Sequence, residues 1–170
     1  VAVALYLDPG LITIPHINMP MMLGAVIIGI CWLWFINLYN FMDGIDGITG
    51  VETLSICIGI SLVSMVADVA VDLILPSAFI AAAIFGFLFV NWHPAKIFLG
   101  DVGSVPLGFV IAWMLLSLAQ QGAWIPAIIL PMYYLADTTI TLLRRLLRKE
   151  KIWQAHKEHF YLDGFRSYIC

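Results

Sequence analysis

Two carboxylates three residues apart, Asp43 and Asp46, lie among Gly44, Gly47 and Gly50 in the stretch NLYNFMDGIDGITG, residues 37–50. On a helix that spacing puts both acids on one face, and in a turn the glycines let the backbone come close to a ligand. Either way the pair can converge on one cation. Asn37 and Asn40, just upstream, add carboxamides able to orient the acids or to accept a sugar or base edge. The plain alternative is a polar interhelical turn with an Asx cap. A second stretch, NWHPAKIFLGDVGS at 91–104, holds Asp101 between Gly100 and Gly103, with Phe98 three residues earlier as a stacking surface. Carboxylates gathered at one point repel unless a cation or a proton lies between them. Mg²⁺ suits such a cluster, since it takes a few carboxylates together with water and phosphate oxygens, and Mn²⁺ is the alternative. Asp101 alone could equally cap a helix.

The tail carries a third group. His156 and His159 in QAHKEHFYLDG are neighbours if this segment is helical, and with Lys157 they could bind phosphate oxygens. A basic tail lying on anionic lipid is the competing reading, supported by the run from Arg144 to Lys151. Asp137, Thr141 and Arg144 fall at helical spacing, so Asp137 is either a functional acid or a buried one paired with Arg144 or bonded to Thr141. His16 and His93 read as ordinary loop residues. Neither GxxxxGK[ST] nor GxGxxG occurs, and an EF-hand at Asp43 would put Ile45 and Gly47 where oxygen ligands are needed. Three cysteines give no disulfide pattern and no zinc spacing.

The elements that must position these groups are membrane spans. A chain 62% hydrophobic and 11% charged, with mean hydropathy +0.99, cannot hide its apolar surface in one soluble core. The expected fold is all-α, a polytopic transmembrane helical protein of one domain, with spans at 21–39, 51–67, 73–90, 105–120 and 124–143 and a basic tail at 144–170. Alternating spans deliver 37–50 and 91–104 to the same side. All eight Lys and Arg residues fall on that side, which the positive-inside rule makes cytoplasmic. The net charge of -3 tells nothing until it is divided between the two sides. The chain opens on Val1 in mid-hydrophobic run without a signal peptide, and reads as a fragment of a longer protein.

In this order and separated by spans, NLYNFMDGIDGITG, NWHPAKIFLGDVGS, ADTTITLLRRLLR and AHKEHFY resemble the motifs of the polyprenyl-phosphate N-acetylhexosamine-1-phosphate transferases. The likeness is closest to the bacterial branch that initiates O-antigen and related surface glycans. It implies Mg²⁺-dependent transfer of sugar-1-phosphate from a UDP-N-acetylhexosamine to a membrane polyprenyl phosphate such as undecaprenyl phosphate, releasing UMP, at the bacterial inner membrane. By motif position Asp101 is the expected metal ligand, Phe98 the uracil-stacking ring, and Asp43, Asp46, His156 and His159 the catalytic groups. Asn37, Asn40, Asn91, Lys96, Asp137, Arg144 and Lys157 complete the expected substrate-binding set. No nucleic-acid partner is expected. Two departures stand out: the family's earlier Asp-Asp pair has no counterpart here, and Leu162 takes the place of the usual Gln after Tyr161. The resemblance therefore covers the second half of a family member, and the fragment alone is expected to be inactive. The alternatives are an ion- or proton-coupled transporter, whose acids would bind the transported ion, and an inactive truncated copy.

Overall fold

The computed structural model describes residues 20–147, in which every regular element is helical. Helix α1 runs Met21–Met42, α2 Ile48–Ala67, α3 Ile74–Asn91, α4 Gly100–Leu118, α5 Trp124–Ile129 and α6 Met132–Leu147. A 3₁₀ turn at Val71–Leu73 leads into α3, and a π-type turn at Ala119–Ala123 joins α4 to α5. Four helical stretches among the described residues are long and apolar enough to cross a membrane: Met22–Met42, Ile48–Ala67, Val71–Asn91 and Gly100–Ile129. Side chains such as Ile30, Leu62, Met65, Phe79 and Phe89 are exposed around these helices, as lipid-facing residues must be.

Helix bounds differ from the sequence expectation where polar residues lie at helix ends. No glycine or proline interrupts 37–42, so Asn37 and Asn40 stay on α1 and only residues 43–47 form the connection to α2. Gly47 closes it with φ +77, a conformation that side chains with a Cβ rarely adopt. Likewise α4 begins at Gly100, which places Asp101 in its first turn and Ser104 in its second. The expected last span at 124–143 is in two pieces. Pro131 has no N–H to continue the ladder, so α5 stops before it, and α6 starts after it.

Packing fixes which connections share an end. Helices α1 and α4 pack closely: Trp32 stacks on Phe109 at 5.0 Å and donates its indole N–H to the Phe109 carbonyl at 3.2 Å. Gly108 lies so near α1 that a Cβ there would be 2.8 Å from Tyr39 Cβ and 3.3 Å from Ile36 Cα. Helix α2 packs on α3, with Ser61 and Ser77 hydroxyls 2.6 Å apart. At one end of the bundle Gln121 Nε2 donates to Asp72 Oδ1 at 3.1 Å, joining the α2–α3 and α4–α5 turns. At the other end residues 43–47 meet residues 92–99, so both motif-bearing connections lie together.

Candidate active site

The two acids of the 43–47 connection face different partners. Asp43, immediately after α1, lies against the start of α4. Burial, chiefly, and the nearby Asp101 charge push its carboxyl above the usual carboxylate range, while the Thr49 hydroxyl and the Gly100 N–H pull the other way. Asp101 is exposed in the first turn of a 19-residue helix, beside backbone N–H groups that have no intrahelical partner. Asp46 instead reaches the α3–α4 connection: its Oδ2 accepts from the Ala95 N–H at 3.0 Å and lies 2.9 Å from His93 Nδ1. The Ala95 N–H and then the His93 ring hold this carboxyl below the usual range.

Asn91 binds the two connections together. Its Oδ1 accepts from the Gly47 N–H at 3.0 Å and its Nδ2 donates to the Ile97 carbonyl at 2.9 Å, with the side chain nearly inaccessible. Asn40 Oδ1 accepts from the buried Ser104 hydroxyl at 2.6 Å, joining α1 to α4 just below Asp43. Asn37 Nδ2 donates back to Leu33 O on its own helix. Of the carboxamides expected to meet substrate, Asn40 and Asn91 thus hold the helices and connections together, while Asn37 bonds within its own helix. Phe98 and Lys96 are exposed between them, Phe98 at 71%. Asp137 is buried on α6 and accepts from the Thr141 hydroxyl at 3.2 Å, while Arg144 lies exposed further along the same helix. His156, Lys157 and His159 lie outside the described residues.

A polar ladder supports the site from below. Thr53 donates to the Thr49 carbonyl at 2.6 Å, so the Tyr39 hydroxyl donates to Thr53 Oγ1 at 2.7 Å. Thr49 Oγ1 is 3.1 Å from the Tyr134 hydroxyl, and the Tyr134 ring is 5.2 Å from Tyr39. The first turn of α6 is thereby tied to α1 and α2 directly beneath Asp43. Nearer the opposite end, an apolar cavity of about 370 Å³ lies between α1, α4 and α5, walled by Trp32, Phe35, Leu115, Trp124 and Pro131.

Sequence reasoning missed His93 and Glu52. Nothing in spacing links His93 to Asp46, which is 47 residues away. Glu52 did carry a signal, an acid one turn into an otherwise apolar span. Among the described residues no cluster of three or more His, Cys, Asp or Glu could enclose a metal. Asp43 takes the Gly100 N–H one residue before Asp101 and feels the Asp101 charge, and two carboxylates are as many as Mg²⁺ needs when phosphate oxygens and water fill its other positions.

A model of the family described as glycosyl transferase family 4 matches residues 2–119. The probable undecaprenyl-phosphate N-acetylglucosaminyl 1-phosphate transferase of Bacillus subtilis (strain 168) is 32% identical over 155 residues, 88% of this chain and 43% of that protein. Phospho-N-acetylmuramoyl-pentapeptide-transferases are similar too. That of Streptococcus uberis is 29% identical over 137 residues, 79% of this chain and 40% of the relative. That of Deinococcus radiodurans is 31% identical over 132 residues, 76% and 39% respectively. The chain spans about two fifths of the length of these relatives.

Proposed function

The chain belongs to glycosyl transferase family 4, and on that premise we propose that the full-length protein transfers N-acetylhexosamine-1-phosphate from a UDP-sugar to undecaprenyl phosphate. An oxygen of the lipid phosphate forms a bond to the sugar-bearing phosphorus, the bond from that phosphorus to the UMP oxygen breaks, and UMP leaves. The lipid diphospho-sugar would initiate a surface or cell-wall glycan. Such a transfer asks mainly for positioning and charge neutralisation. The observation that carries the reading is that Asp43, at the end of α1, takes the Gly100 N–H and so lies beside the first turn of α4, which carries Asp101, at the end of the bundle that also holds the Asp46 connection.

Each part of the site has a task in this reading. Asp101, with Asp43 beside it, would hold Mg²⁺, which draws charge off the diphosphate when bound. Phe98, exposed ahead of the α4 N-terminus, offers the uracil a ring face, and the free N–H groups of that helix end favour phosphate. The apolar cavity beside α5, lined by side chains such as Trp32, Phe35 and Leu115, offers the polyprenyl chain an apolar wall within the bundle. By the resemblance, His156, Lys157 and His159 take phosphate oxygens. The site faces the cytoplasm, where UDP-sugars are found, as the basic residues on its side suggest.

Asp101→Asn in the full-length protein tests this directly. The variant keeps the shape of an exposed side chain and removes the charge that holds the metal. Loss of about 3 kcal/mol of transition-state stabilisation means more than a hundredfold slower UMP release, with an unchanged melting temperature. Near-normal turnover would remove Asp101 from the metal site.

A further inference from the structure

A second cavity, of about 410 Å³, opens where the start of α2, the end of α3 and the start of α6 meet, and Asp46, Glu52, Trp92, His93 and Tyr133 line it. We propose that this cavity is the hexosamine subsite, with Glu52 and Trp92 as its recognition residues; the proposal rests on the transferase reading above. Its lining carries the chemistry that sugars need. Trp92 and Tyr133, 61% and 51% exposed, offer aromatic rings to the C–H faces of a pyranose. Asp46 and Glu52 offer carboxylates to hydroxyl and acetamido N–H donors. A phosphate would be repelled by those same acids.

Glu52 is the most telling of these residues. Its carboxyl meets the Tyr134 backbone N–H, one of the first-turn donors of α6 with no partner within the helix. That contact fixes the side chain beside the cavity. Its Oε1 is nevertheless enclosed and has no hydrogen-bond partner. A buried carboxylate oxygen without a partner is unfavourable, and such groups usually have a use. Glu52 lines the cavity, so Oε1 is the acceptor it has left for a donor bound there. Asp46 also links the cavity to the reaction centre, being three residues from Asp43 in the same short connection.

Binding to the full-length protein in nanodiscs decides the point, with UMP and UDP-N-acetylglucosamine as probes and Glu52→Gln and Trp92→Ala as variants. Both variants are expected to bind UDP-N-acetylglucosamine at least tenfold more weakly while UMP affinity stays within twofold. Equal weakening of both ligands would mean that Glu52 only props up α6, and no weakening of either would leave the sugar elsewhere; each result overturns the proposal. Gln keeps an acceptor for the Tyr134 N–H, and if that variant still fails to fold, the surface change Trp92→Ala is decisive by itself. UMP release with undecaprenyl phosphate is followed in parallel. Wild-type protein that binds both nucleotides without releasing UMP refutes the transfer reading but leaves the subsite to be judged by the binding ratio. Wild-type protein that binds neither refutes both.

Discussion

Asp43 and Asp46 differ in what surrounds them, although a glycine-spaced motif presents them as equivalents. Asp43 is half-buried against the N-terminus of α4 and the Asp101 charge, whereas Asp46 gives its Oδ2 to Ala95 and His93 across the bundle end. The sequence offers all three acids, Asp43, Asp46 and Asp101, to one cation, and in the structure only Asp43 is paired with the helix end that carries Asp101. That pairing was legible only as far as both motifs carried acids at the same side. The clamp through His93 and Asn91 was not, because a hydrogen bond between residues 47 or 44 apart leaves no periodic trace. The clamp has a pH signature. Because the folded-state pKa of Asp46 is lowered, its stabilisation is fully present above the unfolded value of about 3.9 and is lost as pH falls through the folded value. Asp46→Asn should therefore lower the melting temperature by an amount that does not shrink between pH 7 and pH 5, and that closes only below about pH 4. A difference that vanishes by pH 6 would show that the carboxylate is not held by these donors.

Helices were the easier scale to read. Each of the first four apolar runs coincides with a helix, and the helices extend beyond the runs where asparagines and an aspartate stay helical. The break at Pro131 was harder to see, because average hydropathy runs straight through it. Prolines at 126 and 131 were the available clue, since only the second falls where an N–H is needed mid-span. Closeness between helices was also hidden: Gly108 permits the near contact of α1 and α4, while Gly86 has nothing within 4 Å of an added Cβ. Valine at 108 would meet the α1 backbone at Ile36, so Gly108→Val should cost about 1–3 kcal/mol through overpacking, read as a lower melting temperature. Gly86→Val serves as the comparison and should leave it nearly unchanged. Equal effects of the two would mean that the α1–α4 contact is not the tight one.

For the whole molecule, the alternation of spans correctly put 37–50 and 91–104 at one end, since that depends only on counting crossings. The Gln121–Asp72 contact at the opposite end supplies the counterpart. What no count of crossings could supply is the third wall of the site, where α6 returns and Tyr134 and Glu52 join it to α2. On the proposed function, the molecule as a unit is a membrane transferase whose donor site opens to the cytoplasm. Sealed vesicles carrying the full-length protein and undecaprenyl phosphate, given a membrane-impermeant UDP-N-acetylhexosamine from outside, test this most directly. Inside-out vesicles should release UMP at least tenfold faster than right-side-out ones, and permeabilisation should equalise the two. Comparable release from intact right-side-out vesicles, or no lipid-dependent release from either kind, would contradict it.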